Sequence, residues 1–169
     1  MNVSRETSTN SDKLRQTPTS AEIREITPEL IDAFVLDMRP DDLEEMQALS
    51  GTWAEDALRD VTGRSVHTFA GLMDGIPLFM GGVVPLEDVS IGRAWMLGNP
   101  GIAKAKKFYL RETRLQVRNM LYMFDKIVVY VDDRYTRSLR WLSWLGFAQV
   151  QTYLIDGRRV LLFEKVANV

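Results

Sequence analysis

Apolar residues recur along this chain with two periods, close to 3.6 and to 2, and the switches between them mark its elements. Residues 1 to 20 carry only Met1, Val3 and Leu14 as sizeable apolar groups among Ser, Thr, Asn and charge. That is too little apolar surface to offset the entropy of ordering them, so a flexible tail is expected over 1–20 and a single domain over 21–169. Ile23 and Ile26 sit in a short strand-like segment, and Thr27-Pro28 then supplies an N-cap followed by a proline at the first helical position. This predicts a helix from Pro28 to about Asp37. Pro40-Asp41-Asp42 predicts a second helix, acid-rich at its positive end and closed near Ser50-Gly51 by a left-handed glycine. Thr52-Trp53-Ala54-Glu55 has capping-box spacing and predicts a third helix to about Val61.

The period then changes. Val66 to Met73 and Ile76 to Val84 are β-rich runs around Asp74-Gly75, the signature of a tight hairpin, and Gly81-Gly82 inside the second run indicates a bulge or a close backbone approach. Gly92 to Leu97 reads as a strand stopped by the breaker cluster Gly98-Asn99-Pro100-Gly101, which is expected to form a loop. The longest helix is predicted over about Ala103 to Phe124. Lys126 to Val131 is Val-rich and nearly continuous, as in a strand buried on both faces. A helix from Tyr135 to Leu145 ends at Gly146. Phe147 to Ile155 and Arg158 to Val166 then flank a second Asp-Gly turn, Asp156-Gly157. Helical crossovers require some parallel pairing and the hairpins require antiparallel pairing, so the expected architecture is α/β with a mixed, mostly antiparallel sheet flanked by helices.

Composition narrows the chemistry. The chain has 169 residues, 46% hydrophobic and 26% charged, enough apolar content for one core. No cysteine excludes disulfides, thiol nucleophiles and thiolate metal sites, and a single histidine, His67, excludes a multi-histidine zinc site, so no metal is expected. Lys+Arg number 21 and Asp+Glu 23, a formal net charge of −2, so whole-chain charge gives no reason to expect nucleic acid as a partner. No signal-peptide pattern and no run of ~18 apolar residues is present, so no membrane is expected and the cytoplasm is the expected location, with later packaging into a particle left open.

Thr136-Arg137-Ser138-Leu139-Arg140-Trp141-Leu142-Ser143-Trp144-Leu145-Gly146-Phe147 resembles the late helix of the GNAT (GCN5-related N-acetyltransferase) superfamily, which ends in Leu-Gly-Phe, and the order of elements over about 21–166 is similar to that fold. Gly75-Ile76-Pro77-Leu78-Phe79-Met80-Gly81-Gly82 and Ala103-Lys104-Ala105-Lys106-Lys107-Phe108 further resemble GNAT-like internal virion proteins of short-tailed bacteriophages. The resemblance implies a GNAT-like fold and an acetyl-CoA-dependent acyltransferase acting on an unidentified amine acceptor, with a noncatalytic virion or host-interaction protein as the alternative. It also implies that coenzyme A lies against the strand end at Met96 and Leu97, with its phosphates at Ala103, Lys104, Ala105, Lys106 and Lys107.

Three positions depart from that pattern. Pro100 stands where the phosphate loop has a basic or amide residue and lacks an N–H, Ala103 stands where that loop has its first glycine, and Leu142 stands where the family has its acidic tyrosine. Tyr135 and Tyr153 are substitutes for that acid. Glu87 and Asp88, before the Gly92 strand, and Asp132 and Asp133, after the Val-rich strand, are candidate bases, the latter pair equally readable as turn formers. Glu87, Asp132 and Tyr135 are therefore the expected catalytic groups. Lys104, Lys107, Arg111, Arg114 and Arg118 fall on one stripe of the long helix, opposite Tyr109, Val117, Met120 and Phe124. The stripe reads as a solvated face or as a contact for an anionic ligand, nucleic-acid backbone or acidic protein. Trp141 and Trp144, beside Arg137 and Arg140, read as packing on the sheet or as a stacking surface.

Overall fold

A computed structural model of the chain describes residues 20–167, so the expected tail lies outside the described residues except for Ser20. The elements run β1 (Ala21–Arg24), α1 (Pro28–Val35), α2 (Pro40–Ser50), α3 (Ala54–Arg64), β2 (His67–Met73), β3 (Ile76–Pro85), β4 (Ile91–Gly98), a 3-10 turn (Pro100–Ala105), α4 (Lys106–Met123), β5 (Lys126–Asp132), α5 (Thr136–Trp144), β6 (Ala148–Ile155) and β7 (Arg158–Val166). Seven strands form one sheet in the order β1-β2-β3-β4-β5-β7-β6. Every neighbouring pair is antiparallel except β4 with β5. The mixed, mostly antiparallel sheet follows the sequence expectation. Both Asp-Gly hairpins form with the aspartate and the glycine at positive φ, as the tight primed turn requires.

Alternation along the strands separates two cores. Phe69 and Phe79 belong to one apolar cluster and their chain neighbours Ala70 and Met80 to the other, so the clusters lie on opposite faces. On one face α1 and α3 bring Ile31, Phe34, Ala54 and Leu58 against Ala70, Leu72, Met80 and Leu97 of β2 to β4. On the other, Phe108, Val117 and Met120 of α4 and Leu142 of α5 pack on Phe79, Ile127, Val131 and Leu161. Each fully buried large side chain contributes about 2–3 kcal/mol by leaving water.

Local chemistry shifts several boundaries. Thr27 caps α1 through its hydroxyl, which accepts the Leu30 N–H, but α1 stops at Val35, short of Asp37. Gly51 closes α2 in the left-handed conformation, as expected. The capping box does not form: Trp53 occupies the N-cap, the Thr52 hydroxyl bonds the Ser50 hydroxyl instead, and α3 runs on to Arg64. Pro100-Gly101 are not plain loop. Asn99 Oδ1 accepts the Gly101 N–H, which winds residues 100–105 into a 3-10 turn and delays α4 to Lys106. The irregularity in the first hairpin falls at Gly71/Leu72 rather than at Gly81-Gly82, whose role is close approach: a Cβ on Gly82 would lie 2.7 Å from the His67 carbonyl oxygen.

Candidate functional site

The seam between β4 and β5 is paired for half its length. Their register covers Ile91 to Arg93 against Lys126 to Val128 and then stops, although β4 continues to Gly98 and β5 to Asp132. The Ile91 C=O accepts from the Leu86 N–H just past β3 and the Asn99 N–H donates to the Leu78 C=O in β3, so odd-numbered residues of β4 face β3 and even-numbered ones face the seam. Asp133 donates to Arg159 at the start of β7, which turns the even-numbered residues of β5 toward the seam as well. Met96 and Tyr130 therefore present main-chain N–H and C=O groups to one another across an unpaired gap.

Helix α2 and the residue before it hold the lips of this gap apart. The Gly98 N–H donates to Asp42 Oδ2 (2.5 Å), and the Gly98 C=O accepts from the Arg39 N–H (2.9 Å). The Arg39 guanidinium closes the bracket on Asp42 at 2.7 Å and 3.0 Å. One turn on, Glu45 Oε1 accepts the Asp132 N–H (3.2 Å) at the end of β5. Asp42 and Glu45, three residues apart on one helix face, thus each satisfy the last seam-facing amide of one strand. Burial raises the pKa of Asp42 against the opposing pull of Arg39. Glu45 is pushed up to about 7, chiefly by burial and further by Asp42 and Asp132 nearby. A carboxyl poised there can take a proton near neutral pH.

Beside the gap, on the α4–α5 face, lies a cleft of about 410 Å³ bounded by Met96, the 3-10 turn, the start of α4 and the start of α5. Arg39, Lys106 and Arg137 bring three cations to it, and Asn99, Pro100, Ile102 and Ala103 form one wall. Met96 and Trp141 also line a smaller apolar cavity of about 40 Å³ that reaches between the strands to Ala94, Val129 and Leu142. The indole N–H of Trp141 and the hydroxyl of Tyr135 are both buried without a hydrogen-bond partner among the described residues. Burying an unsatisfied polar group is costly; Trp141 lines both cavities, whereas Tyr135 lines neither.

Of the expected donor-binding residues, Met96, Ala103 and Lys106 line the cleft. Leu97 does not: its side chain is buried in the core beneath α1 and α3. Ala105 packs into the opposite core. Lys104 and Lys107 are exposed at the same helix start, outside the cleft wall.

The expected catalytic residues are likewise divided. Glu87 is exposed in the β3–β4 connection, at the paired end of the seam and roughly 20 Å of strand from its open end. Asp132 is at the open lip, but Arg134 grips it through Nε (2.9 Å) and Nη2 (2.8 Å), and this bonding holds its carboxyl below the usual range. It is a turn-forming ion pair and a weak base. Tyr135 follows it at the N-cap of α5, its pKa raised by burial and by Glu44 and Glu45. Leu142 is 1% exposed and serves the core. Arg39, Asp42 and Glu45 were not among the expected site residues. The available signal was Asp42 and Glu45 recurring at helical spacing beside the half-buried Leu43 and Met46. Among the described residues there is no cluster of three metal-ligating side chains, and no helix is long and apolar enough to cross a membrane.

No protein-family model matches the chain, and no curated protein matches it by sequence. Solved structures do. A GNAT-family acetyltransferase from Bacillus anthracis superposes with a TM-score of 0.66 at 12% identity, covering 87% of this chain and 95% of that one. The aminoglycoside acetyltransferase AAC(6')-Ib in complex with coenzyme A gives 0.65 at 14% identity, with 87% and 95% covered. The ribosomal-protein-S18-alanine N-acetyltransferase of Escherichia coli gives 0.62 at 9%, with 89% and 96% covered. The fold of this chain is the GNAT acetyltransferase fold.

Proposed function

We propose that this protein is a GNAT-type acyltransferase that moves an acetyl group from acetyl-CoA to an amine. The observation that carries this reading is the half-open β4–β5 seam with a cationic cleft at its mouth. Lys106 and Arg137 suit the donor's phosphates, Arg39 being committed to Asp42, while the apolar cavity behind Met96 and Trp141 suits its thioester end. The neighbouring fold solved with coenzyme A supports the same choice of donor.

In this reading the Met96 N–H, free on the seam edge, donates to the thioester carbonyl and stabilises the charge that develops there. Glu45, ionised above about pH 7, accepts the proton the amine loses as its nitrogen bonds the acyl carbon. The carbon–sulfur bond breaks, and in this reading the Tyr135 hydroxyl, buried in the unliganded protein and outside both cavity linings, must reach the gap to protonate the departing thiolate and regain its proton from water admitted as the products leave. Tyr135 thus takes the part that Leu142 vacates.

A second reading, the noncatalytic virion or host-interaction protein of the phage resemblance, is favoured by Pro100, which offers the donor no N–H, and by the burial of Leu142. Calorimetric titration with acetyl-CoA, with coenzyme A as control, separates the two. The enzyme reading expects saturable binding near one equivalent, weakened at least about tenfold (1.4 kcal/mol) in Lys106→Glu/Arg137→Glu. A folded protein that binds neither compound is the noncatalytic one.

A further inference from the structure

The formal charge of −2 conceals a division between the two helical layers. Helices α1 to α3 carry nine acidic residues against Arg59 and Arg64. The 3-10 turn, α4 and α5 carry eight lysines and arginines against the single acid Glu112. All eight cations are exposed. Only Arg111 meets a carboxylate within the described residues, Glu112 at 2.8 Å. By contrast, both arginines of the acidic layer are paired, Arg59 with Asp32 and Glu55 and Arg64 with Asp60.

Exposed aromatic rings lie among these cations. Arg114 stacks over the Trp144 ring at 4.2 Å, which joins α4 to α5 through a π-face contact, and Trp144 remains 43% exposed. Tyr122, 81% exposed, continues the line of Arg111, Arg114 and Arg118 at helical spacing. From Lys107 to Tyr122 the line is roughly 22 Å long. Cations in a row attract any polyanion, but flat rings left in water between arginines add a surface on which unpaired bases stack, from which carboxylates gain nothing.

We propose that the outer face of α4 and α5 binds single-stranded nucleic acid, its arginines on the phosphates and Trp144 and Tyr122 under the bases. The face lies outside the donor cleft, whose lining stops at Leu110 on α4 and uses Arg137, Ser138 and Trp141 on α5. The inference is therefore independent of the acyltransferase reading.

Fluorescence anisotropy with labelled oligothymidylate and oligouridylate of about 16 nucleotides, a duplex of equal length and a polyglutamate of equal charge tests it on the full-length protein. Saturable binding of the single strands is expected, preferred over duplex and polyglutamate, with a log–log salt slope of about −2 to −3 for three or four phosphates. Comparing the two single strands tells DNA from RNA. Arg114→Glu/Arg118→Glu/Arg140→Glu should weaken binding at least about tenfold with the circular dichroism spectrum and any acetyl-CoA binding unchanged. Trp144→Leu should weaken it several-fold with the salt slope kept. Any of three results overturns the proposal: no binding at about 50 mM salt, equal binding of polyglutamate or duplex, or single-strand affinity untouched by these variants.

Discussion

The two halves of the β4–β5 seam are made by the same strands and closed by opposite means. In the first half Gly92 lets the strands approach: a Cβ there would lie 2.6 Å from Val83 Cγ2, 2.8 Å from Phe124 Cδ2 and 3.0 Å from Ile127 Cδ1. Main-chain ladder bonds and apolar packing fill that half. In the second half the ladder stops, and the terminal amides bond carboxylates from another element, Asp42 and Glu45 of α2. One half is sealed by shape and the other is propped open by charge. The difference shows how a sheet keeps a gap without unsatisfied strand ends: the polar groups that face it at the rim are satisfied from outside the sheet, leaving Met96 and Tyr130 free between.

The propped half is where the largest change is expected. Asp42→Ala strips the partner from the partly buried Arg39 guanidinium and from the buried Gly98 N–H, and should cost about 3 kcal/mol in urea unfolding. A cost under about 1 kcal/mol would mean the bracket is ornamental. On the sealed half, Gly92→Val should cost about 2–3 kcal/mol by overpacking Val83, Phe124 and Ile127. Thermal melts of the two variants with acetyl-CoA added would sharpen the contrast. The ligand should still raise the melting temperature of Gly92→Val, and should do so less for Asp42→Ala, whose lips are unpinned.

Glu45 gives the contrast a pH signature. Its folded pKa, about 7, lies above the ordinary 4.5, so the folded state holds the proton more tightly than the unfolded chain. The contribution is full below the unfolded value and is lost as pH rises from about 4.5 through about 7, up to about 2 kcal/mol for a group partly reached by solvent. Glu45→Gln should flatten that slope in denaturation curves taken across the interval. It should leave intact the loss at lower pH that comes from Asp132, whose pKa Arg134 depresses. The same substitution should abolish the rise of transfer rate through neutral pH. The smallest expected effect on stability is Tyr135→Phe, within about 1 kcal/mol, because the hydroxyl has no partner to lose. A large slowing of transfer in that variant would assign the hydroxyl to the gap, and an unchanged rate would remove it.

What the sequence disclosed tracks the range of the interactions involved. Asp74-Gly75 and Asp156-Gly157 act on their own backbone, and both hairpins were legible. The Val-rich β5 after a long amphipathic helix announced a parallel neighbour, and Gly146 announced the stop of the helix before it. The start of α4 was misread because Asn99 caps through its side chain and winds a 3-10 turn first, a choice that propensity does not encode. At the site, the family resemblance pointed to Met96, Ala103 and Lys106, which line the cleft, whereas nothing pointed to the brackets of α2. Asp42 bonds an amide 56 residues away and Glu45 one 87 residues away, and in the sequence both serve the helix dipole equally well. The charge division was hidden differently: the stripe on α4 was visible, but only the fold shows α5 adding to it while the acids gather on the other layer.

The seam also carries a consequence for the order of folding. The β2–β3 and β6–β7 hairpins close over two-residue turns, events of about 1–10 μs for isolated hairpins. The parallel β4–β5 pair must wait until the whole of α4 has crossed the sheet, and its far half is completed only when α2 docks from the opposite layer. The open half of the seam is thus expected to form later than either hairpin. A bound donor would act chiefly as a brake on the reverse step, lengthening the native lifetime without hastening the chain's arrival there.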